Sequence, residues 1–402
     1  MIDNQKIGEI ANEYGTPFYL IDYSKIEERF DKLKKSFPQD TSIAYAVKAN
    51  YTSSIVQKYN ELGAHFDIFS KGELDLLSNY DCNLERGIYT SVAETEEEFK
   101  HSLDLGVQTF VLGSVNGIRN FDRAFQRSNA QKADVMLRIQ PIEDVEAFIS
   151  TSGTKSKFGT VFTDENDSVE NALDEIKKSH VDFSGFHFHL GTQVKNSKYY
   201  ADAIDRTLQF AQEKGLEIKM LDIGGGYPVQ YSSEVKPIEE YGRVISEKIE
   251  SWRRKIGNFR LFIEPGRFLT APLVNLVTSV ANVKEMYGRK VVIVDGSEDM
   301  LSLDEHDIEE NLNILTDEMR TVETTIAGNL CHSEDWLVRD PLKLPEVKEG
   351  DMIIFERMGA YVFNRNTAYN LTELPKILVL KQDRVKKEKH PFEIAREILG
   401  LE

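Results

Sequence analysis

Between residues 40 and 265, short apolar runs ending in small or polar residues alternate with longer charged stretches of helical period, which is the pattern of a parallel βα succession. Eight runs stand in order: SIAYAVKAN (42–50), HFDIFS (65–70), GIYTS (87–91), TFVLGS (109–114), DVMLRIQ (134–140), FSGFHFHLG (183–191), IKMLDIGGG (218–226) and RLFIEPGR (260–267). Helix candidates such as IVQKYNELG, TEEEFKHSLDLG and ADAIDRTLQFAQEKG join them. This unit count predicts an α/β fold, a (β/α)8 TIM-like barrel, with a doubly wound sheet as the alternative. Chemistry in such a barrel gathers at the C-terminal strand ends, where Lys48, His189, Gly224 to Gly226, Glu264 and Arg267 all fall.

After Arg267 the pattern changes to strands without regular helices between them: LVNLVTSVANVKEMY, RKVVIVDGS, TVETTIAG, DMIIFERMGAYV and PKILVLK. These predict a C-terminal antiparallel β domain. The opening TPFYLID is also strand-like, so the expected division is a barrel over 25–267 and a β domain built from 1–24 and 268–402. HPFEIAREILG near the end has the spacing of a final amphipathic helix.

Composition narrows the partners. With 402 residues and 41% hydrophobic content, the chain can bury a barrel and a second domain. A formal charge of −18, from 67 acidic against 49 basic residues, disfavours nucleic acid and anionic membrane surfaces. No apolar run approaches the roughly 18 residues of a membrane span, and the N-terminus lacks a signal-peptide pattern, so a cytoplasmic protein is expected. The only cysteines, Cys82 and Cys331, stand far apart without metal-ligand spacing, which supports neither a disulfide framework nor a structural zinc site.

Lys48 ends the first run, where a partly desolvated amine would deprotonate more easily and suit a Schiff base; a solvated strand-end lysine is the alternative. In Asp222-Ile-Gly-Gly-Gly-Tyr-Pro, three glycines after a strand either form a tight turn or bring backbone N–H groups close to an anion. Their spacing is neither a P-loop nor a dinucleotide fingerprint. Glu264-Pro-Gly-Arg267 offers an acceptor for a protonated ring nitrogen and a phosphate partner, or an ordinary ion pair. His187 and His189 are assigned to opposite faces of their strand, so that only one, His189, is expected inside the barrel and the other is structural. The third ligand that a metal would need is not evident, and no metal is expected. Cys331, in NLCHSEDWL, and Tyr361, in ERMGAYVFN, read by themselves as packing residues.

Taken together, YAVKAN, SKFG (156–159), HFHLGTQ, LDIGGGYP, EPGR, Cys-x-Ser-x-Asp (331–335) and GAY (359–361) resemble the pyridoxal-phosphate (PLP) dependent amino-acid decarboxylases of the alanine-racemase-like fold, most nearly their diaminopimelate decarboxylase branch. The resemblance implies α-decarboxylation of an amino acid on PLP held by the barrel, with Lys48 as the Schiff-base lysine. It implies His189 stacked on the pyridine ring, Glu264 on its nitrogen, and Thr192, Gly225, Gly226 and Arg267 on its phosphate. Cys331 is implied as a catalytic residue lent by a second subunit, and Tyr361 as a cofactor-proximal and substrate-facing residue near the same interface, hence a homodimer with shared sites. His332 and Asp335 fall at substrate-binding positions. Racemisation, or a non-catalytic binding protein on the same fold, are the alternatives; the carboxylate at 264 argues against the first and the retained cofactor residues against the second.

The chain departs from that pattern at the substrate's distal end. Glu298-Asp-Met-Leu-Ser replaces an Arg-Pro-Ala-Leu-Tyr-like segment, His332 replaces an acidic residue, and SVAETEEEF replaces a third βα loop bearing Gly and Lys. Losing an arginine that pairs with a buried carboxylate leaves that charge unmatched, so a different or conjugated amino acid becomes an expected substrate. The acidic 298–310 stretch either favours a cationic tail or is a solvated loop.

Overall fold

In the computed structural model, residues 2–401 are described except 144, 164, 232–233, 302–310 and 364–365. Eight parallel strands close a barrel: Ser42–Ala46, His65–Ile68, Gly87–Tyr89, Thr109–Leu112, Asp134–Arg138, Asp182–His187, Met220–Asp222 and Arg260–Ile263. All eight lie within the predicted runs or within one residue of them. Helices follow the strands in turn, and several begin at a side-chain cap that the sequence supplies at the strand exit. Ser70 accepts from the Glu73 N–H, Ser114 from Gly117, and Thr95 and Glu98 form a capping box. Ala44, Ile88, Val111, Met136 and Phe262 fill the bore, so the barrel is a packed core with its usable surface at the strand ends.

The second unit is a nine-stranded sheet centred on the long strand Val274–Met286. Its first half pairs antiparallel with Phe18–Asp22 on one side and Met352–Phe355 on the other. Its second half pairs with Arg289–Val294. The strand-like TPFYLID segment therefore joins the C-terminal strands in one sheet. The sheet is mostly antiparallel, as expected, with two parallel pairings: Phe18–Asp22 with Lys376–Lys381 and Arg289–Val294 with Thr321–Ala327. The reason is connectivity: Phe18–Asp22 reaches the sheet from the far end of the chain, and no hairpin dictates its direction.

The final helix spans Pro391–Ile398, and an opening helix, Asn4–Tyr14, precedes the first strand. Among the described residues no helix is long and apolar enough to cross a membrane. The sheet reaches the barrel mouth through residues 359–361: the Asn50 amide donates to the Gly359 carbonyl at 2.9 Å, and the Tyr361 N–H donates to the Ala49 carbonyl at 2.8 Å.

Candidate active site

The first barrel strand ends in a short 3-10 turn, Val47–Ala49, which turns Lys48 into the barrel mouth. Its ammonium contacts the Asp67 carboxylate, which the second strand carries and which is 1% exposed. The expectation that Lys48 would be easier to deprotonate is corrected here. Burial alone lowers its pKa, but the carboxylates of Asp67 and Glu264 outweigh that and raise it above the ordinary lysine value. Asp67 is itself raised, by burial first and the Glu264 charge second, so Lys48 has a proton acceptor beside it.

Glu264 follows the eighth strand and is 5% exposed. Burial raises its carboxyl, yet His187, Lys48 and His189 together hold it down to about 2. Its Oε2 lies 3.3 Å from His187 Nε2, while Oε1 has no hydrogen-bond partner among the described residues. His189 Nδ1 accepts the Gly225 N–H at 3.1 Å, which leaves the ring proton on Nε2, and burial pushes its pKa down to about 3. The imidazole is neutral at physiological pH.

Both histidines face the same cavity of about 270 Å³, together with Lys48, Asp67, Arg138 and Glu264. The assignment of His187 and His189 to opposite faces is thus wrong, because side chains two apart along an extended strand share a face.

The glycine run is dictated by crowding. A Cβ on Gly225 would stand 2.1 Å from the Glu264 carbonyl, and one on Gly226, at φ +91°, 2.3 Å from the Gly191 carbonyl. These close approaches make a cradle between three strand ends. Arg267, just after the eighth strand, is 3% exposed and donates from Nη1 to the Tyr231 hydroxyl at 3.1 Å with its guanidinium carbon 5.0 Å from the centre of the Tyr361 ring. A Cβ on Gly266 would meet the Tyr361 hydroxyl at 2.8 Å, so Tyr361 also closes on this turn. Thr192 is half-buried on a short strand that pairs with Ile149.

The residues expected at the substrate end are arranged differently. Cys331 and His332 are exposed, and neither lines the Lys48 cavity of its own chain. The Cys331 N–H donates to the Asn370 side chain at 2.8 Å, and His332 Nδ1 lies 3.2 Å from Glu298 Oε1. Asp335, expected to bind substrate, is 3% exposed, and its two oxygens accept the N–H groups of Glu298 at 2.8 Å and Leu330 at 2.7 Å. Through these two bonds it ties the loop to its own backbone. Most of the acidic 298–310 stretch, residues 302–310, lies outside the described residues.

Sequence reasoning does not single out Asp67, Arg138 or Asp222 as site residues. The signal is present for the first two: Asp67 is the lone carboxylate of the run HFDIFS, and Arg138 closes DVMLRIQ at the same strand end that identifies Lys48.

Comparison with known proteins agrees with this geometry. The pyridoxal binding domain of the pyridoxal-dependent decarboxylases matches residues 23–271. The diaminopimelate decarboxylase of Aquifex aeolicus is 30% identical over 379 residues, 92% of this chain and 88% of its own. That of Staphylococcus aureus is 28% identical over 401 residues, 96% of this chain and 93% of its own. Among solved structures, the diaminopimelate decarboxylase of Helicobacter pylori complexed with L-lysine superposes with a TM-score of 0.85 at 25% identity, covering 98% of this chain and 99% of that one.

Proposed function

This chain belongs to the pyridoxal-dependent decarboxylases, and from that premise we propose which of its residues hold the cofactor and read the substrate in the amino-acid decarboxylation it carries out. The observation that carries the proposal is the convergence of Lys48, His189 and Glu264 on one cavity at the C-terminal end of the barrel. The residues fit pyridoxal phosphate. A glycine cradle that any Cβ would fill, with the Arg267 guanidinium following the eighth strand, suits a phosphate, and the Glu264 Oε1 without a partner among the described residues suits the N–H of a protonated ring nitrogen.

When bound, the pyridinium ring supplies the electron sink for the pair released as the Cα–carboxylate bond breaks. The protein's part follows from the site. Lys48 Nζ passes its proton to the adjacent Asp67 carboxylate before it can bond a carbonyl carbon. Neutral His189, fixed by the Gly225 N–H, presents its flat face to the ring without adding a competing positive charge. Ionised Glu264 keeps the ring nitrogen protonated. Thr192, Gly225, Gly226 and Arg267 hold the phosphate, and Tyr361 closes over the same turn.

The substrate end belongs to a second copy of the chain. Cys331 and His332 are exposed and do not line their own cavity, which supports a homodimer in which each loop reaches its partner's site. There Cys331 delivers a proton to the substrate's Cα after carbon dioxide leaves. Asp335 holds the loop, and His332 with Glu298 reads the distal part of the substrate. The proposed division of the chain is a barrel over 25–267 that binds PLP and a β domain formed by 1–24 and 268–402.

Glu298 in place of the arginine segment and His332 in place of an acidic residue form a pair at 3.2 Å that offers a distal carboxylate no guanidinium at those two positions, which favours an amino acid with a different tail. The test is carbon dioxide release with product mass from meso-diaminopimelate, lysine, ornithine, arginine and glutamate offered separately to the PLP-loaded protein. Preference for meso-diaminopimelate would overturn the substrate reading and leave the cofactor site standing. A protein whose borohydride-reduced cofactor is not attached at Lys48 would overturn the site itself.

A further inference from the structure

Asp222 ends the seventh barrel strand, fully buried, and takes no part in the cofactor contacts assigned above. Its Oδ1 accepts the Gly224 N–H at 2.9 Å, and its Oδ2 has no hydrogen-bond partner among the described residues. Glu264 Oε1 is in the same condition. One ligand atom each from His187, Asp222 and Glu264 lies within 4.8 Å of the others. Two dry carboxyls this close do not both ionise; they share one proton. The surroundings decide where it sits. Glu264 faces His187 through Oε2 and has Lys48 and His189 nearby, whereas Asp222 has the Gly224 backbone N–H. Burial, and then the Glu264 charge, accordingly drive the Asp222 carboxyl well above its ordinary value.

We propose that Asp222 is a positioning residue whose protonated carboxyl donates to Glu264, holding that carboxylate ionised and aimed at the cofactor's ring nitrogen while His187 steadies its other oxygen. A carboxylate has about four acceptor sites, so Glu264 serves His187, Asp222 and the ring N–H together. The inference rests on the proposed role of Glu264. It also makes a prediction that runs against habit: asparagine, a neutral donor of the same shape, replaces this aspartate without loss.

The experiment compares holoenzyme with Asp222→Asn, Asp222→Leu and Glu264→Gln, each loaded with ¹⁵N-ring-labelled PLP. The readouts are the ring-nitrogen chemical shift, kcat and KM. Asp222→Asn is expected to keep the protonated-nitrogen shift and a kcat within about threefold of the parent, since the hydrogen bond survives. Asp222→Leu is expected to move the shift toward the neutral ring and to lower kcat by roughly 10- to 100-fold with little change in KM, the usual effect of losing an outer partner.

The inference is overturned if Asp222→Asn is as impaired as Asp222→Leu, or if Asp222→Leu keeps the parent shift. Stoichiometric metal in the parent that disappears in Asp222→Asn also overturns it, since the three residues would then be ligands. Should Asp222→Leu fail to fold, Asp222→Asn decides alone: an altered ring shift sinks the idea, and a parent-like one supports it. A Glu264→Gln protein with an unchanged ring shift would instead remove the Glu264 reading, and this inference with it.

Discussion

The barrel mouth and the Cys331 loop, the two regions of the proposed site, are built in opposite ways. Around Glu264, carboxylates, imidazoles and glycines are packed within a single chain with one Glu264 oxygen left without a partner among the described residues, and the backbone is so close that Gly225 has no room for a methyl group. Around Cys331 the side chains are exposed, and what order exists comes from Asp335 and Asn370 holding the loop's own backbone. The first region is preorganised for one fixed ligand, which suits a resident cofactor. The second is a loop presented outward, where substitutions meet fewer packing constraints than in the barrel mouth.

The largest expected effect tests the buried end. Lys48→Ala removes the lysine of the cavity and should lower decarboxylation by on the order of 10⁴-fold or more, because the covalent route is lost as a whole. Borohydride reduction followed by peptide mass should find no cofactor on the 42–50 segment. Residual activity within about a hundredfold of the parent would mean that another group does this work.

At the exposed end the effect is smaller, and it discriminates between one chain and two. Cys331→Ala should lower kcat by roughly 10²-fold, the scale of losing one proton donor. Mixing it with Lys48→Ala should then restore roughly a quarter of parental activity, since half of the randomly formed dimers carry one intact site out of two. No recovery on mixing, with dimers present, would place Cys331 in its own chain's site.

Gly225→Ala separates backbone crowding from chemistry. The added methyl collides with the Glu264 carbonyl, and the strand ends have to part, a cost of about 1–3 kcal/mol for overpacking. Thermal unfolding of the PLP-free protein should show it, alongside weaker cofactor binding. A variant with parental stability and weaker cofactor binding would mean that the glycine serves the phosphate alone.

The same contrast explains how much could be read in advance. The eight barrel strands are legible because each is a short apolar run bounded by a charged helix, and Lys48, His189, Glu264 and Arg267 because strand ends are fixed by that same pattern. The misplacement of His187 is an error of periodicity, not a lack of signal. Asp222 is visible only as a residue shortly before three glycines; its meaning depends on a carboxylate 42 positions away (264 − 222), which local patterning does not contain. Asp335 looks like a ligand residue by spacing, and only the turn geometry shows that each of its oxygens also accepts a backbone N–H of its own loop. The parallel strand pairs escape notice for a related reason: pairing between distant segments leaves no trace in either segment alone.

The smallest effect concerns a histidine outside the site that uses the same device as His189. His390 Nδ1 accepts the Phe392 N–H at 3.0 Å and caps the final helix, while Nε2 lies 3.0 Å from the Asn366 side-chain oxygen. Burial lowers its pKa from 6.5 to about 4, so in the range between those values the unfolded chain binds the proton and the folded one does not. The stability of this cap is therefore complete above pH 6.5 and declines as pH falls toward 4. His390→Asn keeps an accepting side chain at the cap and has nothing to titrate. Amide protection factors over Pro391–Ile398 should then fall between pH 7 and pH 5 in the parent and hold steady in the variant, a difference on the order of 1 kcal/mol. An equal fall in both would assign the acid sensitivity to other groups, His189 first among them, where the same lowered imidazole caps a glycine instead of a helix.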